Sequence, residues 1–327
     1  MTKNYAGIDL GSNSCKIIIC DENKKTLRIE NTSTRLAEGM YKDNCITKEA
    51  IERCQKCFYE YRKLLDKYNV PQENVRAITT AACRMAKNGS DVVKMILAES
   101  GIKLEIIDGK EEAELNLKGA VEHVLEKSEY VVVYDLGGAS TEVTLAKNSK
   151  NPEIISTVSI PWGARNSSEA FDLVEYDENR ANKLRQEVDK SLEVFFAKAG
   201  NIAEKNVSFV ATSSTPLRLV SMIRQFGCYD REKADGLIMS KAEMDEAIAK
   251  LLSAKRAELA KNPYIGDKRS YIFISAAVIF KQIYDRLGVD KITASLKSAK
   301  DGIVAELIER DKNNNLVNLW CKNGKAY

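Results

Sequence analysis

The chain has 327 residues, 44% of them hydrophobic, with 50 Lys and Arg against 47 Asp and Glu and a net charge of +3. No sequence-wide basic field argues for a nucleic-acid partner, no apolar run nears the roughly 18 residues of a membrane span, and no signal-peptide layout opens the chain. A cytoplasmic chain is expected, and its length suits two hydrophobic cores better than one.

The first predicted strands are Tyr5–Leu10, Lys16–Asp21 and Thr26–Thr34, joined by Gly/Ser/Asn and Asn/Lys turns. The spacing of Ile51, Cys54, Phe58, Tyr61 and Leu65 predicts an amphipathic helix over about Thr47–Tyr68. A strand at Val75–Thr79, helical stretches over 81–99, a strand at Lys103–Ile107 and a helix from Gly109 to about Val124 follow. Three consecutive strands then begin again at Tyr130–Tyr134, Ser140–Ala146 and Glu153–Ile160. Helices near 164–171 and 180–199, a strand at Val207–Ala211 and several helices to about Arg310 complete the pattern. The polar segment Asp311–Asn315 is expected to end the last helix, leaving a short tail with Trp320. Three hairpin-linked strands followed by alternating helix and strand predict a mixed α/β sheet with flanking helices. The repetition predicts two related domains, 1–124 and 125–312, with a cleft between them and a tail over 313–327.

Of eight cysteines, Cys54 and Cys57 form a C-x-x-C. Zinc would need two more ligands at matching spacing and no second C-x-x-C exists, so core packing on one helix face is expected. The single histidine, His123, rules out a His-rich metal centre and is expected at a helix exit on the surface.

Two short motifs anchor the duplication: Gly7-Ile8-Asp9-Leu10-Gly11-Ser12-Asn13-Ser14 and Tyr134-Asp135-Leu136-Gly137-Gly138-Ala139-Ser140-Thr141-Glu142. Each places Asp-Leu-Gly at a strand end, before small or hydroxyl residues and another apolar strand. Asp9 and Asp135 lie 126 residues apart, the spacing of the two restarts. Glycines let backbone N–H groups approach phosphate oxygens, the hydroxyls of Ser12, Ser14, Ser140 and Thr141 add donors, and an aspartate in each loop can hold Mg²⁺. A pair of ligand-free hairpin turns is the plain alternative, and two such motifs in matching positions count against it.

These loops resemble the phosphate loops of the exopolyphosphatase / guanosine pentaphosphate phosphohydrolase family, within the actin, sugar kinase and heat-shock chaperone superfamily. The resemblance extends to Thr79-Thr80-Ala81-Ala82-Cys83-Arg84, to Ile106-Ile107-Asp108-Gly109-Lys110-Glu111-Glu112-Ala113 and to Pro161-Trp162-Gly163-Ala164, and covers roughly residues 5–170. It implies two actin-like, ribonuclease H-like domains and Mg²⁺-dependent release of terminal orthophosphate from polyphosphate or guanosine pentaphosphate, in the stringent response, with a homodimer possible. It also implies Glu112 as the catalytic base, with Asp135 and Glu142 orienting water and, together with Asp9, holding the metal. Gly11, Ser12, Asn13, Ser14, Gly137, Gly138, Ser140 and Thr141 would bind phosphate, and Arg84 would clamp it through a planar guanidinium. Read from the residues alone, Glu111 has a capping-box role with Asp108 and Glu112 lies one residue further into the helix.

The departures are Ala139 in place of a loop glycine, Ala211-Thr212-Ser213-Ser214-Thr215-Pro216 in place of a Gly-Gly-Thr loop, and altered segments at Ile274–Ala277 and Ser298–Gly302. They leave two other readings open: a catalytically weak sensor of guanosine polyphosphate or polyphosphate, and an actin-like ATPase or small-molecule kinase. Without an extended basic track, short chains are expected to be preferred.

Overall fold

The computed structural model describes residues 3–40, 43–120, 123–124, 128–149 and 152–322, with side chains as far as 313. β1 (Asn4–Leu10), β2 (Cys15–Asp21) and β3 (Thr26–Thr32) are consecutive antiparallel strands. After α1 (Lys48–Lys67) the chain enters β4 (Val75–Thr79), parallel to β1; α2 (Ala81–Met85) and α3 (Gly89–Ser100) lead to β5 (Leu104–Ile106), parallel to β4. The first sheet has the order β3-β2-β1-β4-β5. Following α4 (Gly109–Ala120), the antiparallel trio recurs as β6 (Tyr130–Leu136), β7 (Thr141–Lys147) and β8 (Ile154–Ile160). Helices α5 (Ala164–Ala170) and α6 (Glu178–Ala199) then precede β9 (Val207–Thr212), which pairs parallel with β6 as β4 does with β1.

The remaining elements are α7 (Ser214–Ile223), α8 (Arg231–Ala234), β10 (Ile238–Ser240), α9 (Lys241–Leu252), α10 (Arg256–Lys261), α11 (Asp267–Ser270), α12 (Phe273–Leu287), β11 (Lys291–Ser295) and α13 (Ala299–Lys322). The second sheet has the order β10-β11-β9-β6-β7-β8. The expected pair of mixed sheets with flanking helices is therefore present. Among the described residues no helix is long and apolar enough to cross a membrane.

Each half has its own core. In the first, Ile8 and Ile17 of the sheet pack with Phe58, Tyr61 and Leu65 of α1. That helix starts where Thr47 Oγ1 accepts from the Ala50 N–H at 3.3 Å, and its apolar stripe buries Cys54 and Cys57. Among the described residues no three His, Cys, Asp or Glu side chains converge on an ion site around the pair, and burial pushes the Cys54 thiol up to about 12. The pair is core, as its spacing predicts. In the second half, Tyr134, Phe209, Phe280 and Tyr284 form the centre of the cluster between the sheet and its helices.

The second half differs from the sequence expectation in its strands and in its last helix. β10 and β11 were expected to be helical; both are short, and β11 joins the sheet directly after the helix-ending Gly288, whose φ is 65°. Asp311–Asn315 does not end the last helix, which continues to Lys322. The described part of α13 also packs on the first sheet: Ile303, Val304, Leu307 and Ile308 cluster with Tyr5, Ile18 and Leu115. A chain read by sequence order assigns this helix to the second domain, whereas its apolar face covers the first. Two glycines allow the approach. A Cβ on Gly302 would stand 2.0 Å from Leu115 O, and one on Gly119 2.3 Å from Ser298 O, so α4 and α13 meet backbone to backbone. His123 is likewise not the surface residue expected: its ring Nδ1 lies 2.8 Å from Ser295 Oγ and 3.6 Å from Asp235 Oδ1.

Candidate active site

The two motifs fold into the same hairpin. In β1–β2 the last paired residues are Leu10 and Cys15, and the Gly11 N–H donates to Ser14 O at 3.0 Å. In β6–β7 they are Leu136 and Thr141, and the Gly137 N–H donates to Ser140 O at 2.9 Å. Asp9 and Asp135 each precede the final strand residue, so each carboxylate stands at the mouth of its loop. The loop glycines serve close approach here. A Cβ on Gly138 would lie 3.0 Å from the Ser12 Cβ, and one on Gly163 2.5 Å from the Ala139 N, so the two loops and the chain after β8 are in contact. Ala139 does not crowd the loop, as its methyl is buried with the first half's core.

One cleft is lined by both loops together with Asp9, Glu112 and Asp135. Glu112 is 6% exposed and Glu142 2%. The period-two pattern of β7 puts Glu142 on the sheet face that meets α4, the helix carrying Glu112. Burial, then the charge of Glu142, holds the Glu112 carboxyl well above the usual range, with Arg84 opposing. Burial, then Asp135, raises Glu142 to about 7, against hydrogen bonds from Ser140 and Ser159; the Ser159 Oγ bond is 2.9 Å. Asp9 is raised by burial, with Lys16 opposing at 3.9 Å. The arrangement is a set of mutually repelling, desolvated carboxylates beside two glycine-containing hairpin loops.

Several expected roles change. Arg84 does not line the cleft: its Nη1 donates to Ile107 O at 2.9 Å and to Glu112 Oε2 at 3.3 Å, so it holds the carboxylate that was expected to act as base. Thr141 Oγ1 donates to Trp162 O at 2.7 Å and Thr141 is buried, which removes its hydroxyl from the donor set. The Asn13 Oδ1 accepts from Arg165, at 3.2 Å from Nε and 2.7 Å from Nη2. Asp108 Oδ1 accepts from the Glu111 N–H at 2.9 Å as expected, but the Glu111 side chain pairs with Arg76 rather than closing a capping box. Gly11, Ser12, Asn13, Ser14, Gly137, Gly138 and Ser140 all line the cleft.

The structure adds basic residues that sequence reasoning missed: Lys16, Lys300, Arg231 and Arg269 all line the cleft. Lys16 could have been found, since it pairs directly with Asp9 in the hairpin register. Lys300, 3% exposed, bonds Asp301 Oδ2 at 2.6 Å, and burial lowers its pKa. Arg269 sits in the basic stretch Lys261–Arg269, which reads equally as a solvated face or a binding track; burial, then Arg218, lowers its pKa to about 10. Neither Arg231 nor Arg269 pairs with a carboxylate among the described residues. The 212–216 segment also reaches the cleft. Ser213 adopts φ 97° and ψ 171°, a backbone region that favours glycine, and its buried Oγ has no hydrogen-bond partner. Pro216 falls in the first turn of α7, where its missing N–H leaves no bond unmade.

The donor set also bears on a metal. Hard carboxylate oxygens of Asp9 and Asp135 suit Mg²⁺, although among the described residues no three ligands close into a cage. Mg²⁺ characteristically takes one or two carboxylates and completes its shell with water and substrate phosphate, so this geometry fits it.

Comparison with known proteins places the chain. Residues 18–311 match the model of the Ppx/GppA phosphatase family, and the chain belongs to that family. A bifunctional 3-dehydroquinate synthase/phosphatase from Fusobacterium nucleatum is 28% identical over an alignment of 317 residues that covers 93% of this chain but only 46% of that protein. The chain thus spans about half the length of that relative. An exopolyphosphatase from Cytophaga hutchinsonii has the same fold at 24% identity and a TM-score of 0.83, covering 94% of this chain and 98% of its own. The Ppx/GppA family member from Aquifex aeolicus gives 21% identity and 0.77, covering 95% and 99%.

Proposed function

We propose that this member of the Ppx/GppA phosphatase family hydrolyses a terminal phosphoanhydride bond, releasing one orthophosphate per event from short polyphosphate or guanosine pentaphosphate. The observation supporting it is the meeting, in one cleft, of two phosphate loops of identical hairpin construction with the buried carboxylate of Glu112. In this reading the terminal phosphate lies between the loops, accepting hydrogen bonds from backbone N–H groups and from the hydroxyls of Ser12, Ser14 and Ser140. A water oxygen bonds to the terminal phosphorus as Glu112 takes its proton. The bond from that phosphorus to the bridging oxygen breaks, and the bridging oxygen leaves with the electron pair as the new chain end.

Arg84 holds one Glu112 oxygen and so leaves the other to the water. Burial raises the proton affinity of Glu112, which makes the ionised carboxylate a stronger proton acceptor. Mg²⁺, held through Asp9 and Asp135, would supply charge neutralisation on the phosphate oxygens. The short-substrate preference rests on the distribution of positive charge. The stretches Lys250–Arg256 and Lys261–Arg269 contribute only Arg269 to the cleft; Lys255 and Arg256 instead face Glu175 and Asp267.

Phosphate release from tripolyphosphate, long polyphosphate, guanosine pentaphosphate and ATP, each with and without Mg²⁺, tests this reading. Mg²⁺-dependent release from the short substrate or the guanosine nucleotide is expected. Tight binding without release would favour a sensor, and preference for ATP an actin-like ATPase or kinase.

A further inference from the structure

Arg165 is placed to act on both phosphate loops at once. Its backbone N–H donates to Gly138 O in the second loop at 2.8 Å. Its guanidinium reaches the first loop, donating to Asn13 Oδ1 from Nε at 3.2 Å and from Nη2 at 2.7 Å. The side chain is only 11% exposed, and the remaining nitrogen lies 3.6 Å from Glu169 Oε1 and 3.9 Å from Glu38 Oε1. Arg165 itself does not line the cleft, whereas Asn13 does. Nothing in the resemblance that predicts Asn13 as a phosphate ligand says which end of its amide faces the phosphate.

A guanidinium carries five donors and no acceptor, so the Asn13 atom that meets it must be the oxygen. The amide nitrogen is then turned away from Arg165. It has no protein partner among the described residues and is not sealed from solvent. Released from Arg165, the amide could rotate and offer its oxygen to the cleft, where a phosphate oxygen would be repelled. On the other side of the loop the main chain is already fixed, with the Arg35 N–H donating to Asn13 O at 3.0 Å and the Ala37 N–H to Ser12 O at 2.9 Å. The side-chain orientation is the degree of freedom that Arg165 settles.

We infer that Arg165 is a positioning residue that pins the Asn13 amide so that its N–H groups, not its oxygen, face the substrate phosphate. The inference rests on the phosphate-hydrolase reading of the cleft. Arg165 thereby links the two loops through its side chain, beside their direct contact at Gly138.

Steady-state kinetics on tripolyphosphate with Mg²⁺ test it, using Arg165→Met, Asn13→Ala, the double variant and Asn13→Asp. Losing a hydrogen bond to a charged phosphate oxygen is expected to lower kcat/KM about 10-fold, mainly through KM. Because both residues act through one amide, the double variant should lose about the same 10-fold rather than about 100-fold. Asn13→Asp keeps the pairing with Arg165, and with it the fold, but presents no donor, so its KM should rise at least as far as that of Asn13→Ala. This variant keeps the inference open to refutation even if Arg165→Met folds poorly. Multiplicative losses in the double variant, or an Asn13→Asp protein with parental KM, would overturn it. A parent chain that hydrolyses none of the phosphoanhydrides would instead overturn the functional reading beneath it.

Discussion

Replacing Glu142 by Gln should stabilise the protein at pH 8 in the absence of divalent ions, although it removes a candidate catalytic group. Burial and the neighbouring Asp135 raise the Glu142 carboxyl from 4.5 to about 7. A carboxyl raised on folding holds its proton more tightly folded than unfolded, so stability falls as pH rises from the unfolded value through the folded one. Each pH unit is worth about 1.4 kcal/mol, which sets an upper bound of about 3 kcal/mol on the penalty carried at pH 8. Asp135 and Glu112 share the repulsion, so about 1–2 kcal/mol is the working expectation, or several degrees in melting temperature. Glutamine retains an oxygen to accept from Ser159 Oγ, which the carboxylate accepts at 2.9 Å. Thermal melts of parent and variant from pH 5 to pH 8, without divalent ions, measure the difference directly. The parent should lose stability relative to the variant across that interval, with the two close together at pH 5. A variant that melts below the parent at pH 8 would refute the reasoning, because Glu142 would then be paired rather than repelled.

Ser213→Gly should raise stability by roughly 1 kcal/mol, since it relieves a serine at φ 97° and removes an unpartnered buried hydroxyl; denaturant titration would register it, and an unchanged midpoint would count against strain there. Gly302→Ala should do the opposite, costing about 1–3 kcal/mol and lowering turnover, because its Cβ would stand 2.0 Å from Leu115 O and press α13 against the helix that carries Glu112. Cys54→Ser combined with Cys57→Ser should leave Mg²⁺-dependent phosphate release unchanged while lowering the melting temperature through lost packing. Stoichiometric zinc in the parent protein, lost in that double variant, would contradict the core assignment of the pair.

The two loop hairpins and α1 were legible because their signals are local. The hairpins around Gly11–Ser14 and Gly137–Ser140 combine alternating apolar strands with tight polar turns, and α1 carries an uninterrupted apolar stripe with a capping threonine. What sequence could not supply was the third dimension of charge. Arg84 and Arg165 both suit phosphate by residue type, yet each spends its guanidinium on a site side chain, Glu112 and Asn13 respectively. Thr141 reads as a donor beside Ser140, but strand alternation and the passing Trp162 carbonyl take its hydroxyl inward. Lys300 and Arg269 reach the cleft from beyond residue 260, across long sequence separations that no spacing rule joins. α13 is the clearest case: its apolar face is visible in the sequence, but the sheet it covers is set by the backbone contact through Gly119 and Gly302.

The central claim is that Glu112 accepts the proton of the attacking water. Glu112→Gln keeps the volume, the first turn of α4 and an oxygen for Arg84, while removing the basic site. Single-turnover phosphate release from tripolyphosphate with Mg²⁺, measured beside substrate affinity, separates chemistry from binding. A loss of about 10²–10⁴-fold in the release rate at near-parental affinity is the expected result. Release within a few-fold of the parent would contradict the claim and leave Asp135 or Glu142 as the base.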